Sequence, residues 1–244
     1  MSPYDLLDPA VTLAHSLLVT LADAVPGPTG GVAVALAVVA LTLLVRAAML
    51  PLAVAGVRAD RARRALAPEL ARIRHRCGTD RERLTAETLA AYRAAGVSPL
   101  VGVGPALLQV PVVSTLYRVV VAPTVAGGPN LLVGMVVLGA PLTAQWPQLL
   151  ASAGLLSAPA AAAVTVLVVL LLLARASAAQ QAARAAEALA DGAAPQPAAA
   201  ARLISLLPYA TVAVAVVTPV AVSLYLVTST AWAITERAVL PRLF

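Results

Sequence analysis

The chain has 244 residues, of which 61% are hydrophobic, 11% charged and 3% aromatic, with a mean hydropathy of +0.90 and a formal net charge of +6. A typical soluble domain carries roughly 25% charged residues to cover its surface. The composition therefore excludes a disordered tail and a secreted disulfide scaffold, argues against a cytosolic enzyme, and defines a polytopic membrane protein with room for five or six crossings of ~20 residues.

All 17 basic residues are Arg, and Cys77 stands alone, so no intrachain disulfide or cysteine-built metal site can form. His15 and His75 are far apart and have no ligand-like spacing. The pI near 10.4 fits Arg gathered in cytoplasmic loops rather than a nucleic-acid interface.

Residues 1–30 carry Asp5, Asp8 and Asp23 and no Arg, which sets the N-terminus outside. Asp8-Pro9 starts a helix, and Leu18, Leu21 and Ala22 share one face of it. The expectation is an amphipathic helix on the outer surface, with a sixth span as the alternative. A signal sequence fits poorly, because acids rather than Arg precede the apolar stretch and no lipobox Cys follows.

Residues 31–57 are the first crossing. Residues 58–98 hold ten Arg and five acids and read as a cytoplasmic helical hairpin. Leu66, Leu70 and Ile73 form an apolar stripe, Asp60/Arg64 and Glu69/Arg72 are helix-spaced pairs, and Gly78 ends the first helix. Thr79 with Glu82 is a capping-box pattern for the second, which Leu84, Leu89 and Tyr92 continue.

Residues 99–122 are the second crossing. The following segment, 123–157, is uncharged, and its apolar run at 131–142 is too short to span ~30 Å, so it reads as an outer interfacial or re-entrant piece. Residues 158–175 are the third crossing, and 176–202 a cytoplasmic loop of short helix plus linker. Residues 203–236 are long for one helix and short for two. Arg on both flanks demands an even number of crossings, so Thr218-Pro219 breaks a hairpin of fourth and fifth spans ahead of a cytoplasmic tail, 237–244. Arg118, near the outer end of the second span, is expected to snorkel to the outer headgroups.

Arg46 is the residue that asks for a function. Counted from Val32 at ~1.5 Å per residue it lies about 21 Å deep, where insertion scales charge roughly 2.5–3.5 kcal/mol for an Arg. No Asp or Glu lies within a predicted span, and Glu236 is the nearest candidate. Arg46 then either snorkels to the cytosolic face or looks into a polar groove. Thr42, one turn earlier, shares its face, and Gln109, Ser114, Thr115, Tyr117, Tyr209, Thr211, Ser223, Tyr225, Thr228 and Ser229 are available on other spans. No phosphate-binding glycine loop, zincin motif or intramembrane carboxylate pair appears. Gly102 and Gly104 read as helix-packing positions.

Four markers in order resemble the YidC/Oxa-type membrane protein insertases: Arg46 with Leu50-Pro51-Leu52; the hairpin of residues 67–99; Pro99-Leu100, Pro105, Leu107-Leu108-Gln109, Pro111 and Leu116-Tyr117-Arg118; and Pro208, Pro219 and Leu224-Tyr225. The chain departs from that pattern at Ser98, which stands where the family has Asn. It departs again at Thr218-Pro219-Val220-Ala221 in place of Phe-Pro-(Ser/Ala)-Gly, and at Thr230 or a neighbour in place of a later Asn.

The resemblance implies an all-α fold with a five-helix core. It implies a non-enzymatic insertase and chaperone of the bacterial cell membrane, working without cofactor or ATP hydrolysis. The implied groove residues are Arg46, Thr42, Gln109, Ser114, Tyr117, Tyr225, Thr228 and Ser229. The receiving hairpin would present Arg72, Arg74, Arg76, Arg81, Arg83 and Tyr92. Implied partners are nascent membrane proteins, the lipid bilayer, the Sec translocon, the signal recognition particle machinery and the ribosome. The short tail after Glu236 sets an expectation against ribosome docking through it. An assembly chaperone for particular membrane complexes is the second reading, and a small transporter the third.

Overall fold

A computed structural model describes residues 7–25, 30–96, 104–125, 127–130, 132–154, 157–190 and 198–243. Asp5, Ser98, Pro99, Leu100, Gly102 and the linker at 191–197 lie outside the described residues. The fold is all-α and polytopic. The described helices are α1 (Asp8–Asp23), α2 (Gly31–Ala48), α3 (Leu50–Ala65), α4 (Ala67–Cys77), α5 (Arg81–Ala94), α6 (Gly104–Val121), α7 (Trp146–Ala153), α8 (Ala158–Ala190), α9 (Ala198–Val217) and α10 (Val220–Leu243). By length and apolarity α2, α8 and α9 can each cross a membrane. Helices α6 and α10 occupy the two other stretches where the sequence predicts crossings; Glu236, Arg237 and Arg242 make the end of α10 polar.

The bundle is packed for lipid rather than water. Alanines share the inside with larger side chains: Ala37, Ala163, Ala215 and Ala221 are fully buried, as are Leu142, Leu170 and Trp146. Other large apolar residues, among them Leu172, Leu203 and Leu206, are more than half exposed. With hydrocarbon outside, leucine need not be hidden. Helices associate through close backbone approach, which alanine permits.

Prolines cut the segment after the first crossing. Pro51 and Pro68 each lack the N–H that would bond four residues back, and the helix is interrupted at Met49 and Leu66, separating α2, α3 and α4. Between Arg175 and Ala190 no such breaker exists. The sequence reading placed a short helix plus linker from 176; that helix is not separate but the continuation of α8, which runs on to Ala190 as one helix of 33 residues, because Ala, Gln, Arg and Glu are all strong helix formers. At ~1.5 Å per residue it is about 50 Å long and overshoots the bilayer.

The segment between α6 and α8 holds two small antiparallel ribbons and α7. The ribbons pair β1 (Thr124–Val125) with β2 (Gly128–Pro129) and β3 (Val136–Val137) with β4 (Ala140–Pro141). Leu138 and Gly139 both have positive φ at the tip of the second, as a two-residue hairpin turn requires. This segment closes one end of the bundle. The carbonyls of Ala144 and Leu142 accept from Val220 and Ala221 at 3.0 Å, which satisfies two otherwise orphaned donors of α10. Trp146 Nε1 donates to Ser223 Oγ at 2.8 Å, and buried Asn130 donates to the carbonyls of Val119 and Ala122 at 2.6 and 2.7 Å. Strand β3 lies so close to α2 that a Cβ on Gly31 would sit 2.0 Å from the Val136 carbonyl oxygen.

Arg118 does not reach out alone at this end. Its guanidinium pairs with Asp8 Oδ1 at 2.7 Å, so the expectation of a snorkelling Arg is corrected to an ion pair that ties α6 to α1.

Candidate functional site

Three helices supply the polar cluster. Arg46 comes from the last turn of α2, Gln109 from α6, and Tyr225 and Ser229 from α10, four residues apart and therefore on one face. The Arg46 guanidinium donates to Ser229 Oγ. Gln109 Nε2 donates to the Tyr225 hydroxyl, and reaches Ser229 Oγ at 3.3 Å. Arg46 is half-buried, and Tyr225 and Ser229 are buried.

The chemistry of that arrangement follows from what Arg46 touches. Its partner is a neutral hydroxyl, and among the described residues it enters no ion pair. The hydrogen bond satisfies a donor but leaves the positive charge uncancelled. Glu236, the candidate counter-charge that the sequence offers at the inner end of the last span, accepts instead from Trp232 Nε1 at 2.8 Å.

Beside the cluster is a cavity of about 310 Å³ between α1, α2, α6 and α10. Thr42 and Tyr225 are on its wall, with Leu41 and Val45 from α2, Val112 from α6 and Leu13 from α1. Thr42 returns its hydroxyl to the Val38 carbonyl at 2.7 Å, so it presents its methyl rather than a free donor. A polar cluster opening onto an apolar slot suits a chain segment that is partly polar and partly apolar.

Of the other residues named from the sequence, Thr228 bonds its own helix at the Leu224 carbonyl, 2.9 Å away. Ser114 is half-buried on α6, and Tyr117 is 40% exposed on the same helix, outside the hydrogen-bonded cluster. Sequence reasoning missed the α1 wall. Ala10, Leu13, Ala14 and Leu17 line the slot, and a search for polar residues in apolar spans could not find them.

The hairpin of α4 and α5 is a separate structure with its own core. Leu70, Ile73, Cys77 and Ala91 are buried, and Leu66, Leu84 and Tyr92 pack against them. The second helix is capped by Asp80, whose Oδ1 accepts from the Arg83 amide at 3.0 Å, and not by Thr79 as the capping-box pattern suggests. Arg72, Arg74, Arg76, Arg81 and Arg83 are exposed, while Tyr92 is half-buried in the hairpin core. Glu87 receives Arg83 Nε at 2.9 Å and Arg76 at 3.3 Å. The hydrogen bond from Arg83 holds the Glu87 carboxyl below its ordinary range. Burial, seconded by the Glu87 charge, pushes the Cys77 thiol up. Among the described residues no three His, Cys, Asp or Glu side chains gather as a metal site.

The profile of the family described as "60Kd inner membrane protein" matches residues 27–244. Over 82 residues the chain is 42% identical to the membrane protein insertase YidC of Vibrio atlanticus, covering 34% of this chain and 15% of that one. It is 33% identical over 108 residues to membrane protein insertase YidC 1 of Halalkalibacterium halodurans, covering 43% and 40%. It is 39% identical over 82 residues to the chloroplastic ALBINO3-like protein 1 of Arabidopsis thaliana, covering 34% and 16%. The matched stretch thus spans less than half the length of each of these relatives.

Proposed function

The chain belongs to the 60Kd inner membrane protein family, that of the YidC, Oxa1 and Alb3 proteins, and on that premise we propose that it is a membrane protein insertase that works through a charged intramembrane groove without ATP hydrolysis. The observation that carries the reading is the Arg46 guanidinium held by neutral Ser229, with Gln109 and Tyr225 beside it. A client's short acidic or polar tail enters this cluster from the hairpin side. Its apolar segment leaves sideways into lipid along the slot walled by Thr42 and Tyr225.

Three physical terms drive the transfer. The groove shortens the hydrocarbon path that the client's polar groups must cross. Arg46 offers an uncancelled charge part-way along that path. A membrane potential positive outside contributes ~2.3 kcal/mol per negative charge per 100 mV. The N-terminus is outside and the C-terminus inside. Helices α2, α6, α8, α9 and α10 are the five crossings, and α1 lies at the outer surface. The exposed Arg72, Arg74, Arg76 and Arg81 of the hairpin meet clients and the targeting, Sec and ribosomal machinery.

The test is insertion of a short-tailed, single-span client in cells depleted of their own insertase, comparing the chain with Arg46→Ala at matched membrane abundance. Rescue by the unaltered chain and failure of the variant is the expected result. Rescue by both overturns the role of Arg46. Failure of both overturns insertion and makes assembly of particular membrane complexes the better reading.

A further inference from the structure

On the hairpin side of the bundle, α3, α8 and α10 enclose a cavity of about 470 Å³ that the insertion mechanism does not use. Five arginines reach its wall against two carboxylates, Asp60 and Glu187, an excess of three positive charges. The arginines do different jobs. Arg61 donates to the Pro241 carbonyl at 2.6 Å and Arg184 to the carbonyl of Arg237, so these two fasten α3 and α8 to the end of α10. Arg64 is 3.6 Å from Glu187, a loose pair in which both side chains are substantially exposed. Arg242 is exposed on the last turn of α10.

Depth says what could enter. Counted at ~1.5 Å per residue, Gln180 to Glu187 lie about 33–44 Å from the start of α8, and Arg237 to Arg242 about 26–33 Å from the start of α10. The hydrocarbon layer is ~30 Å thick and the bilayer with its headgroups ~40–45 Å. The cavity is thus level with the headgroups, and Val57, Ala183 and Ala238 give it an apolar rim toward the bundle. One further atom asks for a donor. Gln180 lines the cavity and donates its Nε2 to the Ile234 carbonyl at 3.2 Å, while its buried Oε1 has no hydrogen-bond partner.

We propose that this cleft binds the headgroup of an acidic phospholipid that carries hydroxyl groups, with phosphatidylglycerol as the type. Arg64 and Arg242 take the phosphodiester, which suits guanidinium forks. Gln180 turns its unpartnered Oε1 from its buried position to accept from a headgroup hydroxyl, and the apolar rim receives the start of the acyl chains. The site joins the ends of three helices to the lipid surface and does not depend on insertion activity.

The experiment measures lipid retained by the full chain after purification from mixed phosphatidylglycerol and phosphatidylcholine, by native mass spectrometry. The expected result is selective retention of phosphatidylglycerol, reduced about tenfold in Arg64→Gln/Arg242→Gln. Arg81→Gln/Arg93→Gln on the hairpin removes the same charge and is expected to retain the lipid. Should the first double variant fail to fold, Arg242→Gln alone, at an exposed position, carries the test with a loss of about threefold. Equal retention of the two lipids overturns the proposal, as does equal loss in the hairpin variant, which means general charge attraction. Displacement by free glycerol phosphate or by an acidic peptide at matching concentration also overturns it, because the site then takes a soluble anion or a protein.

Discussion

Arg46 and Arg83 are the same side chain in two solvents, and the molecule treats them oppositely. Arg83 meets the Glu87 carboxylate at 2.9 Å with 64% of its side chain exposed, so its charge is both paired and screened by water. Such pairs contribute little to stability. The hairpin is held by Leu70, Ile73, Cys77 and Ala91 instead. Arg46 lies half-buried among apolar helices and meets a hydroxyl, and among the described residues no carboxylate pairs with it. Where water surrounds a charge, the fold can place it freely; among apolar helices a charge without a counter-ion is kept only at a cost, which is why the proposed function turns on Arg46.

The strongest way to break that contrast is to remove the hairpin's apolar core and leave every Arg in place. Ile73→Ala should destabilise the hairpin by about 2–5 kcal/mol while leaving the Arg46 cluster intact. Cys77 reports it: the residue is 6% exposed, so its alkylation requires opening. A stability loss of ~2 kcal/mol should speed alkylation about thirtyfold. An unchanged rate would mean that the arginine pairs hold the hairpin after all.

A second substitution acts at the closed end of the bundle, far from both arginines. Gly31→Ala drives a Cβ into the backbone of Val136, which cannot swing aside as a side chain could. The expected cost is about 1–3 kcal/mol, seen as a lower Tm of the detergent-solubilised chain and faster proteolysis between β3 and β4. If only this closure suffers, client insertion should fall less than Tm suggests. A Tm equal to that of the unaltered chain would mean that the ribbon does not press on α2.

Next comes Arg46 itself. Arg46→Ala should cut insertion of an acid-tailed client about tenfold, equivalent to ~1.4 kcal/mol, and Arg46→Lys should recover part of it. A client whose tail acids are changed to amides should no longer distinguish the variants. If it still does, Arg46 serves to hold Ser229 and α10 rather than to attract charge.

How much of this was legible depends on whether a feature is local. Arg46 stands out because a charge in an apolar run is visible without neighbours. The α4–α5 hairpin is visible because Leu70 and Ile73 keep helical spacing. The meeting of Arg46, Gln109, Tyr225 and Ser229 is not visible, because it depends on three helices distant in sequence choosing their rotation. The docking of α1 on α2 and α6 was hidden for another reason: a face of Ala10, Leu13 and Leu17 suits a headgroup surface as well as a bundle. The ribbons of 124–141 escaped because strands of two residues leave no period to read. Thr79 was preferred to Asp80 because both are good N-caps and adjacent; only the bond from the Arg83 amide decides between them.

The smallest effect concerns the other half of the comparison. Glu87's carboxyl is held below its ordinary value chiefly by the Arg83 hydrogen bond, so it gives up its proton more readily folded than unfolded. Its contribution is therefore fully present above the unfolded carboxylate pKa of ~4.3 and is lost as pH falls through the folded value. Glu87→Gln should separate slightly from the unaltered chain at neutral pH and merge with it in acid. A large loss of stability at neutral pH would mean that this pair, despite its exposure, organises the hairpin. The division between an exposed Arg paired with an acid and a half-buried one bonded to a hydroxyl would then no longer separate the hairpin from the proposed groove.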